Sequence, residues 1–207
     1  MNAQTEVLQI PGPSGPLEVA VDRPSVDAIG TAVIAHPHPL FGGTMSNKVV
    51  QTLARAFVQC GWTSVRFNFR GVGASAGVHD EGRGELDDLL TVVESLAPQG
   101  RLSLAGFSFG AFVTSHATER LYTQREIDRL VLVGTAASRF QVANVPEELH
   151  LRTLVIHGEQ DDTVPLASVM DWARPQTLPV LVVPAGGHFF HGQLPLLRDL
   201  VTRHLSA

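Results

Sequence analysis

Eight short apolar, β-branched runs, set apart by segments of a different period, restrict what this chain can become more than any other feature. They lie at 7–10 (VLQI), 17–21 (LEVAV), 31–35 (TAVIA), 64–69 (SVRFNF), 102–107 (LSLAGF), 130–134 (LVLVG), 153–158 (TLVIHG) and 179–184 (PVLVVP). From the third run onward most are separated by stretches whose apolar residues recur at helical spacing, at 47–59, 84–96, 108–121, 166–173 and 194–205. Runs that are apolar along their whole length suit strands buried on both faces, and alternation with helices predicts a mainly parallel sheet wrapped by helices. The first two runs are joined by PGPSGP with no helix between them, which predicts an antiparallel hairpin at one edge.

At 207 residues, 44% of them hydrophobic, the chain can fill one core and is short for two. No repeat, low-complexity tract or linker divides it, so a single domain over 1–207 is expected. The 15 Lys and Arg against 20 Asp and Glu give a formal charge of -5, and the basic residues are scattered with no run that could track phosphates, which argues against nucleic acid as a partner. The start lacks a basic segment leading into an apolar stretch, and no window holds about 18 apolar residues, so neither a signal peptide nor a membrane span is expected. A cytoplasmic location follows by default. Cys60 stands alone, which excludes an internal disulfide and a multi-cysteine metal site; near a helix end, it is expected to be a buried structural thiol.

In an open parallel sheet, ligands bind beyond the carboxyl ends of the strands, so chemistry is sought there. After the fifth run, LAGFSFGAF places Gly106, Ser108 and Gly110 as G-x-S-x-G between a strand and a helix. A five-residue pattern is cheap by itself; its context gives it weight. A sharp strand-to-helix turn forces the serine into a strained backbone geometry, and glycines on either side remove side chains that would collide. The turn also aims the hydroxyl into the crevice and places the following amides at a helix start, where developing negative charge is favoured. The competing reading is a serine that only caps the helix.

A serine hydroxyl is a weak nucleophile at neutral pH and needs a histidine in reach, itself oriented by a carboxylate. Beyond the seventh run, LVIHGEQDDTVP presents Asp161, with Asp162 and Glu159 as rival acids. Beyond the eighth, VLVVPAGGHFFHG presents His188, with His191 as a rival base expected to face solvent or the next helix start. The order Ser, Asp, His is that of α/β-hydrolases.

Taken together, HPHPLFGGTMSNKVV, FNFRGVGASAG, GFSFG, HGEQDDTVP and GGHFFHG make the chain, from about Val33 to the last helix, resemble the small, lidless α/β-hydrolase proteins related to dienelactone hydrolases. The resemblance implies an α/β-hydrolase fold without a cap domain, with Ser108 as nucleophile, Asp161 as acid and His188 as base. The family pattern G-x-x-D-x-x-V-P maps its aspartate onto Asp161, because Gly158 lies three residues earlier and Val164 and Pro165 follow. Dienelactone hydrolases carry cysteine at the elbow, whereas this chain has serine, which points away from a dienelactone and towards ordinary ester or thioester chemistry.

The loop after the third run, AHPHPLFGG, is where this fold supplies one oxyanion-hole amide, the other coming from the residue after the nucleophile, Phe109. Pro37 and Pro39 have no amide hydrogen, which leaves His38, Leu40 or Phe41; position matching favours His38 and local geometry favours Leu40. Two imidazoles without a third ligand make a poor metal site, so His36 and His38 are expected to brace the loop, and no metal is implied. The glycines of FRGVGASAG do not fit G-x-G-x-x-G, so no cofactor is implied either; Arg70 there is expected to pair with Glu85 or Asp88. Among the aromatic residues flanking these positions, Phe41, Phe107 and Phe189 are expected to line an apolar acyl pocket.

The expected activity is hydrolysis of small or flexible carboxylic esters or thioesters through an acyl-enzyme. The alternatives are amide or peptide cleavage by the same groups, and a non-catalytic scaffold that binds a ligand or protein. The connection TAASRFQVANVPEELH is too short for a helical cap, so the site should be open, and an open site leaves room for a homodimer in which a second subunit completes it.

Overall fold

The eight apolar runs all become strands of one sheet in the structure, a computed structural model that describes residues 5–207. The strands are β1 (Glu6–Ile10), β2 (Leu17–Asp22), β3 (Thr31–Ala35), β4 (Thr63–Phe67), β5 (Leu102–Phe107), β6 (Ile127–Val133), β7 (Thr153–Gly158) and β8 (Val180–Val183). From β3 onward each strand except β6 is followed by an α-helix: α1 (Lys48–Gln59), α2 (Arg83–Leu96), α3 (Phe109–Leu121), α4 (Leu166–Ala173) and α5 (Leu194–Ser206). The spatial order is β1-β2-β4-β3-β5-β6-β7-β8, with β1 and β2 antiparallel at one edge and every pair from β4 and β3 to β8 parallel.

Alternate residues of each strand feed two cores. Val33, Leu104, Leu130 and Leu132 face the layer that contains α2, α3 and α4, while Ile34, Ala105, Phe107, Val131 and Ile156 face α1 and α5. Burial on both faces is why the strands read as unbroken apolar runs instead of alternating ones. No helix among the described residues is long and apolar enough to cross a membrane. Cys60 is only half-buried, its Sγ 3.8 Å from the Thr202 carbonyl oxygen of α5.

Strand β4 stops at Phe67, two residues earlier than its apolar run, because the next backbone donors bond outside the parallel ladder. The Asn68 amide donates to the Glu18 carbonyl at 2.9 Å, and the Phe69 amide to Nε2 of His36 at 3.0 Å. The Asn68 side chain joins three segments, accepting from the Met45 amide and donating to Glu18. Beyond it, Arg70 forms a two-pronged pair with buried Asp88, while Glu85 accepts from His79 and from the amides of Asp80 and Gly82. Of the two expected partners of Arg70, Asp88 is the one that bonds it.

Strand β3 lies between β4 and β5, so the connections leaving the carboxyl ends of β3 and β5 diverge and open a crevice between them. The loop with the paired histidines and the turn with Ser108 flank that crevice.

Candidate active site

Ser108 sits between β5 and α3 at φ 57° and ψ -116°, a left-handed backbone that a residue with a side chain rarely adopts. The turn is forced by close packing. A Cβ on Gly106 would overlap the carbonyl of Gly110, and one on Gly110 would lie 2.5 Å from the carbonyl oxygens of Ala35 and His36. Glycine at both places lets the start of α3 press against the end of β3. The serine side chain makes no cap bond to its helix, which removes the capping explanation for it.

His188 reaches Ser108 from the loop after β8. The Oγ hydroxyl of Ser108 stands 3.1 Å from His188 Nε2, and His188 Nδ1 donates to Asp161 Oδ2 at 2.7 Å. With a carboxylate on the Nδ1 side, Nε2 keeps its lone pair free for the serine proton. Asp161 is oriented in turn, because its Oδ1 accepts from the amides of Val164 at 2.7 Å and Thr163 at 3.0 Å. Burial opposes ionisation of Asp161, but the bonds from His188 and the Val164 amide outweigh it and hold its carboxyl below the usual range. Ser108, Asp161 and His188 are 7%, 6% and 4% exposed, so the relay is largely shielded from water.

The rival residues have other places. Glu159 accepts from the amide of Ala185 and so ties the acid loop to the base loop. Asp162 is exposed, its Oδ1 3.4 Å from the neighbouring Thr163 hydroxyl. His191 is exposed, its ring 5.9 Å from that of Phe189. His157 lies beneath the acid, with Nε2 2.9 Å from the Val164 carbonyl oxygen and 3.4 Å from Asp161 Oδ2, and burial pushes its pKa down.

In the loop after β3, both nitrogens of His36 are engaged, Nδ1 donating to the Pro37 carbonyl at 2.6 Å and Nε2 accepting from the Phe69 amide. Burial lowers its pKa to about 4, so it is a neutral brace between two strand ends. Neither ring nitrogen is left for a metal. His38 caps the short turn Pro39–Phe41: its Nδ1 accepts from the Leu40 amide at 3.2 Å, and its carbonyl accepts from Phe41 at 3.1 Å. Of the three amides open on sequence grounds, those of Leu40 and Phe41 are therefore engaged, while that of His38 has no acceptor among the described residues. The Phe109 amide, first in α3, is likewise outside the helical ladder.

A cleft of about 260 Å³ opens over Ser108 and His188. Phe41, 75% exposed, and Phe189, 43% exposed, form part of its wall. Phe107 does not: it is fully buried, its ring centre 4.9 Å from that of His188 and tilted 35° to it, because its strand position points into the core on the α1 and α5 side. It supports the imidazole and touches no substrate space. The cleft also recruits Asn47, Ala136, Arg139, Phe140 and Thr163, none of which the sequence reading had singled out. Three of these lie in the connection after β6, and the rule that sites gather at strand ends could have flagged that segment.

Comparisons with known proteins agree with this fold. Residues 38–145 match the family described as "Serine aminopeptidase, S33". The structure of an α/β serine hydrolase without lid from Xanthomonas campestris is similar, with 38% identity over 100% of this chain and 95% of that one and a TM-score of 0.88. An α/β serine hydrolase homologue from Coxiella burnetii is 42% identical over 97% of both chains, with a TM-score of 0.82. An uncharacterized protein of Rickettsia prowazekii is 38% identical over 113 residues, 53% of this chain, so the match spans about half the length of that curated relative (48%).

Proposed function

The chain belongs to the α/β-hydrolase superfamily, among its lidless serine hydrolases, and from that premise we propose that it cleaves carboxylic esters or thioesters of small or flexible acyl groups through an acyl-enzyme. The observation that carries this reading is the 3.1 Å approach of Ser108 Oγ to a His188 ring whose far nitrogen is held by Asp161. Ser108 Oγ attacks the carbonyl carbon and its proton passes to His188 Nε2, while Asp161 stabilises the imidazolium. The amides of Phe109 and His38 hold the oxyanion. Collapse of the tetrahedral species expels the alcohol or thiol, which takes its proton from His188. Water, deprotonated by the same imidazole, then attacks the acyl-enzyme, and the carboxylate leaves with Ser108 restored.

The matching family's description raises a second reading, removal of an amino-terminal residue from a peptide. The surroundings of Ser108 favour esters over that reaction. A free α-ammonium group is held by carboxylates, and no Asp or Glu lines the cleft among the described residues.

An alkyl fluorophosphonate probe tests the hydrolase reading: the protein should be labelled at Ser108, and Ser108→Ala should not be. Absence of labelling in the wild type would leave the non-catalytic scaffold standing. Rates on p-nitrophenyl esters of rising chain length, thioesters and amides then rank the leaving groups, and faster turnover of amides than of esters would overturn the preference stated here.

A further inference from the structure

The wall of the cleft mixes apolar and neutral polar side chains with one cation, Arg139, and that cation has no carboxylate partner among the described residues. Nine arginines form ion pairs with carboxylates among the described residues. Arg139, like Arg55, Arg120, Arg125 and Arg203, forms none, and of these five it is the one that stands on the wall of the cleft containing Ser108, in the connection after β6. Its backbone is fixed by a bond from its amide to the Ala136 carbonyl at 3.2 Å, and its guanidinium rests 6.0 Å from the centre of the Phe41 ring. Glu81 borders the adjoining depression with Arg139 but makes no ion pair with it. The His38 imidazole is held below its usual range by burial and by His79, so it adds no charge at neutral pH.

An unpaired guanidinium is a ready receptor for an anion, because its planar fork matches a carboxylate or phosphate. One guanidinium and no other Arg or Lys on the cleft wall balance a single negative charge, which favours a carboxylate over a phosphate dianion. We infer that Arg139 selects esters or thioesters whose non-reacting end carries a carboxylate. This rests on the hydrolase reading of Ser108 and narrows its substrate class.

The rate of Ser108 labelling tests it with two alkyl fluorophosphonates of equal chain length, one ending in a methyl group and the other in a carboxylate. The carboxylate probe should label the wild type roughly tenfold faster, a ratio that shrinks with added salt. In Arg139→Gln the ratio should fall to about one, and in Arg139→Glu below one, with Arg139→Lys between Gln and wild type. A ratio near one in the wild type, or an unchanged preference in Arg139→Gln, would overturn the assignment of Arg139 while leaving the hydrolase reading intact. Failure of both probes to label Ser108 would overturn the hydrolase reading and this inference with it.

Discussion

Gly158 and Gly186 lie against each other so closely that a Cβ on Gly158 would overlap the Gly186 carbonyl, and one on Gly186 would stand 3.2 Å from the Gly158 Cα. The first glycine ends β7 just before the acid loop, and the second begins the approach to His188. Bonds from the Gln160 amide to Gly186 and from the Glu159 amide to Val183 lock the same contact. The 2.7 Å bond between Asp161 and His188 is built on this seam.

Gly158→Ala should therefore separate the two loops. We expect a loss of about 2 kcal/mol in denaturant unfolding, from overpacking against backbone that has nowhere to go. Fluorophosphonate labelling of the folded fraction should also slow by more than tenfold. Unaltered labelling with altered stability would show that the seam does not set the Asp161–His188 geometry.

Asp161→Asn keeps an oxygen for the Val164 and Thr163 amides but offers His188 an N–H donor in place of an acceptor. The imidazole must then turn its proton towards Ser108, the wrong side for a base. Ester turnover should fall by on the order of 10³ to 10⁴, with a fold that gives an unchanged circular dichroism spectrum. A fall of less than tenfold would place the orienting role on another group.

Stability should decline between pH 6.5 and 4. His36 is pushed down to about 4 in the folded protein by burial, so below pH 6.5 the unfolded chain binds a proton that the folded one refuses. The stabilisation is whole above the unfolded value and is lost as pH falls towards the folded one, a difference of about 3 kcal/mol over that window. His157 and His204, also lowered by burial, act with the same sign. Asp161 is held below its ordinary range, so its contribution is present above the unfolded carboxyl value and disappears only at still lower pH. Urea melts across pH should show a shallower slope for His36→Gln than for the wild type; parallel slopes would refute the assignment.

Arg70→Ala should destabilise the fold by about 3 to 5 kcal/mol, because it leaves the fully buried Asp88 carboxylate without its two-pronged partner. Arg70→Lys, with a point charge in place of a fork, should recover only part of that loss. Chemical denaturation of the two variants checks the order, and equal stability of Ala and Lys would argue against a charge-based role.

Much of the architecture was legible because it depends on local pattern. Apolar runs buried on two faces, helical spacing between them and the PGPSGP connection were sufficient for a parallel sheet with an antiparallel edge, and G-x-S-x-G marked the turn in which Ser108 takes its strained backbone. Asp161 and His188 could be named from their positions after strands, since strand ends converge on one side of a parallel sheet. Phe107 was misplaced because a strand residue's face depends on register, and a run apolar on both faces does not reveal which side meets the crevice.

The amino-acid sequence by itself determined the order of strands and helices and the residue types available at each strand end, because these follow from periodicity, backbone preference and chain direction. Only the tertiary structure decided which groups meet: Asp161 over Glu159, the unengaged His38 amide over that of Leu40, and Arg139 on the wall of the cleft. Such choices depend on distances between segments far apart in the chain, fixed by close contacts such as Gly158 on Gly186 that no local pattern encodes.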